Sequence, residues 1–544
     1  MLDKNKKYEL NELESVLYNT ANTFHGSGNL NNLEILNVAI PTVFLKRVLD
    51  LRQDFIEKDL MISSAYMLSK DAVAALKSKH KDINKVFNVI NNDEWFFVTY
   101  QDILNFQDNP NGNYVSISLA IDEKINITTC AKDRFEFAKE LHFHLSHDVV
   151  KAVFKQSRYF TLYLGDKLGY KESNILFNKF AEFHFGDNVS TDIFSQAYIY
   201  LISVFAASGG QKGGEFFTPD AICRLVIACL EPQLNQYGMT KVADITSGSA
   251  TFLIELGRYM ALKNGKKVSV DSLEFYMQEK EEQTLVLGEA GLLLAGFEFI
   301  TAYHANTLLN YKENIGKHRN QMDYVVGNPP YGAQILEEYD YNAIKDLADR
   351  ENEQRWCFGL PPRAELEWFF VQTALDMIHN KGKVALVLPL GTLFKKNTRK
   401  KLRESGYIEG IIVLPDKMFQ TTGIQTCIWF FNKNKKECDK NKIFFINASS
   451  ESWKDGKFNT INYDKTIENY TNRIVEHGYS GYVDDCILED NNENYSIDRY
   501  IFKNPEKIDI DISLINYQSE ELLNQIIEQE SAINIILKMI DDIK

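Results

Sequence analysis

The sequence predicts a doubly wound α/β sheet, preceded by an N-terminal helical domain and followed by a C-terminal helix. Two observations carry that expectation. Between residues 186 and 450, short runs rich in β-branched and aromatic residues alternate with amphipathic stretches, the pattern of strands joined by crossover helices. One strand-like run ends in a loop of small residues, Asp244-Ile245-Thr246-Ser247-Gly248-Ser249-Ala250, and the next ends in an acid, Glu279. Such a loop lets backbone approach a ligand closely at a helix N-terminus.

The expected strands fall at residues 242–245, 272–276, 299–303, 324–326, 384–388, 408–414 and 426–431, with helices over 281–295 and 365–379. Upstream, residues 1–185 read as helical, with apolar residues at helical spacing over 13–18 and 35–49. Residues 451–505 are rich in Asn, Asp and Lys and read as loops with weak structure. Four segments follow: a helical domain at 1–185, the α/β domain at 186–450, a loop-rich extension at 451–519 and a docking helix at 520–544. No repeat of solenoid type interrupts them.

A chain of 544 residues exceeds what one simple core accommodates, and 44% hydrophobic with 25% charged residues is ordinary for a globular protein. No apolar stretch approaches the ~20 residues of a membrane span, and the N-terminus has no apolar signal segment. Seven cysteines (Cys130, Cys223, Cys229, Cys357, Cys427, Cys438, Cys486) are scattered without a CxxC or a His-Cys cluster. That usage fits a reducing, cytoplasmic location and argues against a metal site. The net charge of −15 is unfavourable for a protein that grips nucleic acid alone, because phosphate neutralisation supplies most of such affinity.

The most specific motif is Asn328-Pro329-Pro330-Tyr331, directly after the apolar run Tyr324-Val325-Val326 and Gly327. It falls at the carboxyl end of a strand, where α/β enzymes keep their sites. Two prolines stiffen the turn, so the Asn328 amide oxygen and the Pro329 carbonyl can each accept one N–H of an exocyclic amine. That arrangement frees the nitrogen lone pair for attack on a methyl sulfonium. Tyr331 offers an aromatic face to a base taken out of a duplex. The alternative is a proline-stiffened turn without chemistry.

Two further segments accompany it. Glu279 stands where an acid accepts both hydrogen bonds of a ribose diol in dinucleotide folds. Ahead of the small-residue loop lies Gly213-Gly214-Glu215-Phe216-Phe217-Thr218-Pro219-Asp220. Thr218 and Pro219 also suit the start of a helix over 221–230, so capping is an equal reading of that segment.

In this order, the three segments resemble the modification subunits of type I restriction-modification systems, gamma-class DNA adenine-N6 methyltransferases. Tyr276-Met277-Gln278-Glu279, His304-Ala305-Asn306-Thr307-Leu308, and Leu414-Pro415-Asp416-Lys417-Met418-Phe419 with Thr422-Gly423-Ile424-Gln425-Thr426 extend the resemblance. Phe44-Leu45-Lys46-Arg47 with Asp50 carries it into the helical domain.

The resemblance implies S-adenosylmethionine as cofactor, held by Glu215, Phe216, Phe217, Thr218, Pro219, Asp220, Asp244, Thr246, Ser247, Gly248, Ser249, Glu279 and Asn306. It implies methyl transfer to N6 of a flipped adenine at Asn328, Pro329, Pro330 and Tyr331. It further implies double-stranded DNA as substrate, a specificity subunit shared by two modification subunits, and a restriction subunit. Two positions depart from the family: Ala250 or Thr251 replaces a further loop glycine, which would crowd the methionine end, and Asn306 replaces an acid.

Two other features concern partners. Lys395-Lys396-Asn397-Thr398-Arg399-Lys400-Lys401-Leu402-Arg403 is the densest basic run, either a phosphate-facing surface or a solvated helix face. Leu523, Ile526, Ile533, Leu537 and Ile540 fall at heptad positions of a helix that packs on another, within the chain or in a partner. Two competing functions stand beside methylation of DNA. One is protein-glutamine methylation, whose enzymes share Asn-Pro-Pro-Tyr but are much shorter; the other is a catalytically silent scaffold.

Overall fold

A computed structural model describes residues 6–24, scattered positions between 39 and 50, 67–68, 95–96, 179–180, 182–208, 218–264, 272–297, 299–331, 338–351, 354–394, 399–419, 423–456, 458–502 and scattered helical positions between 522 and 533. These fall into two compact units, Met1–Ile501 and Phe502–Lys544.

The larger unit is organised by a nine-stranded sheet. Its strands in chain order are β1 (Thr240–Asp244), β2 (Leu273–Glu279), β3 (Ile300–His304), β4 (Met322–Gly327), β5 (Ile378–Pro389), β6 (Ile408–Val413), β7 (Thr426–Asn432) and β8 (Lys442–Asn447). Trp453–Asp455 (β9) and Phe458–Thr460 (β10) form a separate hairpin, and β11 (Ser480–Asp484) returns to the main sheet. The sheet order is β11-β8-β6-β7-β5-β4-β1-β2-β3. Strands β3, β2, β1, β4 and β5 are mutually parallel, and β7 runs antiparallel between β5 and β6.

The helices are α1 (Leu10–Ala21), α2 (Thr191–Ser208), α3 (Asp220–Leu230), α4 (Thr251–Asn264), α5 (Glu282–Leu294), α6 (Glu338–Glu351), α7 (Leu366–Met377), α8 (Arg399–Glu404), α9 (Tyr463–Thr471) and α10 (Asp485–Asp490). Both faces of the sheet are covered. Cys427, Trp429 and Phe431 of β7 pack with Trp368 and Phe369 of α7 on one face. Ile428 and Phe430 face the opposite core with residues of α3 and α4. Period-two alternation assigns successive side chains to opposite faces, and burial of both faces explains why these strands read as continuous apolar runs.

All seven expected strands are present, along with the helices expected near 281–295 and 365–379. The main correction concerns residues 451–505. Their polar composition conceals the β9–β10 hairpin, α9, α10 and β11, which pairs antiparallel with β8. β8 is a further strand beyond the expected set, although Ile443-Phe444-Phe445-Ile446 is plainly apolar.

Most of residues 1–185 and the helix expected at 520–544 lie outside the described residues. Within the former, Met67–Leu68 pairs with Trp95–Phe96, so that region is not wholly helical. The buried Lys46, Arg47 and Asp50 form a clamp. Lys46 Nζ contacts the Asp50 carboxylate at 2.6 Å, while Arg47 donates to the carbonyls of Phe185 (2.6 Å), Gly186 (2.5 Å) and Val189 (3.0 Å). The Phe185 N–H donates to Asp50 at 2.7 Å. This pattern ties a helical segment to the chain entering α2. In the second unit, Leu522, Leu523, Ile526, Ile527 and Ile533 are exposed.

Candidate active site

The parallel order β3-β2-β1-β4-β5 reverses direction between β1 and β4, the switch point where ligands bind outside the carboxyl ends of such strands. The loop Asp244–Ala250 leaves β1 there, and Asn328-Pro329-Pro330-Tyr331 leaves β4. Gly327 permits the approach. A Cβ on it would lie 2.9 Å from Asp244 Oδ1 and 3.1 Å from Thr246 Oγ1.

Thr218, Asp244, Thr246, Ser247, Gly248, Ser249, Glu279, Asn306, Asn328 and Pro330 line one cavity of about 210 Å³. Pro329 and Tyr331, in the same turn, are not among its lining residues. Glu215, Phe216 and Phe217 lie outside the described residues. Pro219 and Asp220 depart from the expectation: both line another cavity, against α1, α2 and α4, where Asp220 pairs with Arg224. The expected threonine cap is also absent, for Pro219 is the N-cap of α3 and no side chain caps it.

Glu279 organises the loop. Its carboxylate accepts the N–H groups of Gly248 (2.9 Å), Lys280 (2.8 Å) and Glu281 (3.0 Å). Gly248 and Ala250 both have positive φ, 50° and 59°. The Ala250 methyl is turned away from the cavity lining and toward α5, where a Cβ at Gly288 would come within 2.9 Å of it. Of the two residues at the departure from the family, Ala250 is therefore outside the cavity lining, its methyl given room by Gly288 on the facing helix, whereas Thr251 is among the lining residues.

Asp244 is buried and accepts the Thr246 N–H at 2.9 Å. Burial pushes its carboxyl up to about 8, against the pull of that hydrogen bond, and the neighbouring Glu279 charge adds to the rise. Burial likewise raises Glu279, opposed by its three N–H donors. Ser247 Oγ is buried without a hydrogen-bond partner. Leu366 and Phe370 of α7 supply an apolar wall that the sequence did not signal, because an apolar helix face reads equally as core.

Asn306 Oδ1 accepts from the N–H groups of Leu308 (2.9 Å) and Leu309 (3.2 Å), so its amide holds the turn after β3. Gln278 was also missed as a functional position. Its side chain donates to Thr307 Oγ1 at 3.2 Å and accepts from the Ile315 N–H at 3.1 Å, and its carbonyl accepts the Ser247 N–H at 3.0 Å. It thus joins the β1, β2 and β3 loops.

Both polar atoms of the Asn328 side chain are engaged. Nδ2 donates to Thr218 Oγ1 at 3.0 Å, and the Tyr331 hydroxyl donates to Oδ1. The Tyr331 ring meets Phe419 edge to face, with centroids 6.2 Å apart. Phe419 belongs to the Leu414–Phe419 stretch noted in the sequence, which therefore backs the Asn328 turn.

Sheet order and site place the chain in the methyltransferase fold class. Residues 189–509 match the N-6 DNA Methylase family, and the chain belongs to that family. It is 31% identical over 360 residues to the type I restriction enzyme MjaVII methylase subunit of Methanocaldococcus jannaschii, covering 62% of this chain and 59% of that one. Identity to the MpnII methylase subunit of Mycoplasma pneumoniae is 27% over 368 residues, covering 65% of each. The chain thus spans less than two thirds of the length of these relatives. The type I restriction-modification methyltransferase subunit from Streptococcus thermophilus has the same fold, with TM-score 0.66 and 19% identity over 91% of this chain and all of that one.

Proposed function

We propose that this chain transfers a methyl group from S-adenosylmethionine to N6 of a flipped DNA adenine, as the modification subunit of a type I restriction-modification complex. The observation that carries the proposal is the position of Asn328, in the turn that leaves β4 beside β1 and in the lining of the cavity that Asp244 and Glu279 share.

The cavity's chemistry fits the cofactor. The orphaned Ser247 hydroxyl and the Thr246 hydroxyl offer polar partners, and Leu366 with Phe370 offers an apolar wall for an aromatic ring. Glu279, and Asp244 when it is ionised, would face a cationic group from one side of the cavity. Glu279 would receive the ribose hydroxyls on the lone pairs its N–H donors leave open. When bound, S-adenosylmethionine supplies a methyl carried on a sulfonium.

The chain's residues then act on the base. Asn328 Oδ1 and the Pro329 carbonyl accept the two N–H bonds of the adenine amine, whose lone pair is thereby directed at the methyl. To make Oδ1 available, the Tyr331 hydroxyl gives up its bond, and the ring is left to stack on the base. Asn306 holds the adjoining turn in place of an acid.

The net charge of −15 and the exposed apolar residues between 522 and 533 support a partner that supplies DNA grip and sequence choice. In this proposal two modification subunits share one specificity subunit, and a restriction subunit joins them. The test incubates the chain, with its specificity partner, with DNA and methyl-labelled cofactor, then digests the DNA to nucleosides. N6-methyladenine is the expected labelled product. Label on protein glutamine would favour the shorter-enzyme alternative, and absence of cofactor binding would favour a scaffold.

A further inference from the structure

The Asn328 side chain raises a geometric question that the cofactor cavity does not answer. An asparagine amide presents an acceptor on one side and donors on the other, with nearly the same shape either way. A target amine brings N–H donors, so the reacting orientation must present Oδ1 to it, and Nδ2 then points the opposite way. Nδ2 is a donor at the edge of a partly buried site and needs an acceptor there.

The structure supplies one. Thr218 Oγ1 lies 3.0 Å from Asn328 Nδ2, although the two residues are 110 positions apart in the chain. Thr218 is buried, with 7% of its surface exposed. It is held where the chain enters α3, whose N-terminal Pro219 carbonyl accepts the Ile222 N–H at 2.9 Å. The Thr218 carbonyl in turn receives the Cys223 thiol at 3.9 Å. The Thr218 main chain is therefore anchored at the start of α3, whereas the contact on the other end of the amide comes from Tyr331, a side chain within the same turn that an incoming base would displace.

We infer that Thr218 is a positioning residue for Asn328: its hydroxyl accepts the Nδ2 hydrogen bond and holds the amide with Oδ1 toward the target amine. This rests on the methyl-transfer reading of the site and assigns the threonine to the catalytic amide rather than to the cofactor. The residue before α3 and the turn after β4 are then one functional unit, which accounts for the presence of both motifs around one cavity.

The experiment compares Thr218→Val and Thr218→Ser with wild type in the assembled complex, reading single-turnover methyl transfer to DNA and cofactor affinity by calorimetry. Thr218→Val leaves Nδ2 without its acceptor. Its transfer rate should fall by about tenfold or more while cofactor affinity holds, as expected for loss of one buried hydrogen bond. Thr218→Ser restores the acceptor and should recover most of the rate. If Thr218→Val does not fold, Thr218→Ala is read the same way.

A parallel fall in cofactor affinity would overturn the inference and make Thr218 a cofactor contact. A normal rate in Thr218→Val, or failure of serine to recover the rate, would also overturn it. Asn328→Ala separates these results from failure of the parent reading: if that variant still methylates adenine, the function itself is wrong, whatever Thr218 does.

Discussion

At the scale of single residues, two carboxylates dominate the chemistry of the cavity. Glu279 accepts three backbone N–H bonds, so it shapes the loop as well as lining the cavity. Glu279→Ala should weaken S-adenosylmethionine binding at least about tenfold, since charge-assisted hydrogen bonds are worth roughly 1.5–3 kcal/mol each. It should also lower the melting temperature of the free protein. Calorimetry and thermal melting check the two effects, and unchanged affinity removes Glu279 from the site.

Asp244 gives a pH signature. Its carboxyl is raised to about 8 in the folded chain. Between about pH 4, its unfolded value, and that pH the folded state holds a proton that the unfolded state has released. The folded state binds more protons, so stability falls as pH rises through that window. Melting of the cofactor-free protein from pH 5 to 8 should follow that slope. Asp244→Asn, which keeps an acceptor for Thr246, should flatten it; an identical slope in the variant would contradict the assignment. Asn328, Asp244 and Glu279 were legible in the sequence because each belongs to a short local motif. The Thr218–Asn328 bond was not, because its partners lie on different segments and only the sheet order joins them.

At the scale of elements, the approach of β4 to β1 decides whether the two loops form one site. Gly327→Ala would place a methyl against Asp244 Oδ1 and Thr246 Oγ1. Overpacking of this kind costs about 1–3 kcal/mol, so the variant should be less stable. It should lose cofactor affinity and methyl transfer together, unlike variants of Thr218. Loss of neither would mean that the strands tolerate separation at this point.

The basic run shows how composition misleads at this scale. Lys395–Thr398 lies outside the described residues, but Arg399 and Arg403 are buried. Arg399 sits over the Tyr495 ring at 5.0 Å and donates to the Leu393 carbonyl, while Arg403 pairs with Glu493 at 3.0 Å. Both arginines anchor the segment that follows β11, leaving Lys400 and Lys401 exposed. Neither a phosphate-facing surface nor a solvated helix face describes these arginines. That following segment was illegible for the same reason: its Asn- and Asp-rich composition resembles loops, and its order depends on ion pairs and on an edge strand of five residues.

At the scale of the molecule, the parallel core was legible because continuous apolar strands and crossover helices have few topological solutions. The net charge of −15 carries a different message, that the phosphate contribution to DNA affinity is weak in the chain alone. The isolated chain should therefore methylate plasmid DNA poorly and without sequence choice. Removing residues 520–544 should weaken assembly with the specificity partner, as read by co-elution, while leaving cofactor affinity intact. Efficient, site-specific methylation by the isolated chain would replace the subunit account with a self-sufficient enzyme.

The most direct test of the central claim takes wild type and Asn328→Ala, each assembled with the specificity partner, and measures cofactor affinity and N6-methyladenine in the same preparations. The account predicts nearly equal affinity for S-adenosylmethionine in the two and no N6-methyladenine from the variant. Formation of N6-methyladenine at the normal rate by Asn328→Ala would contradict it.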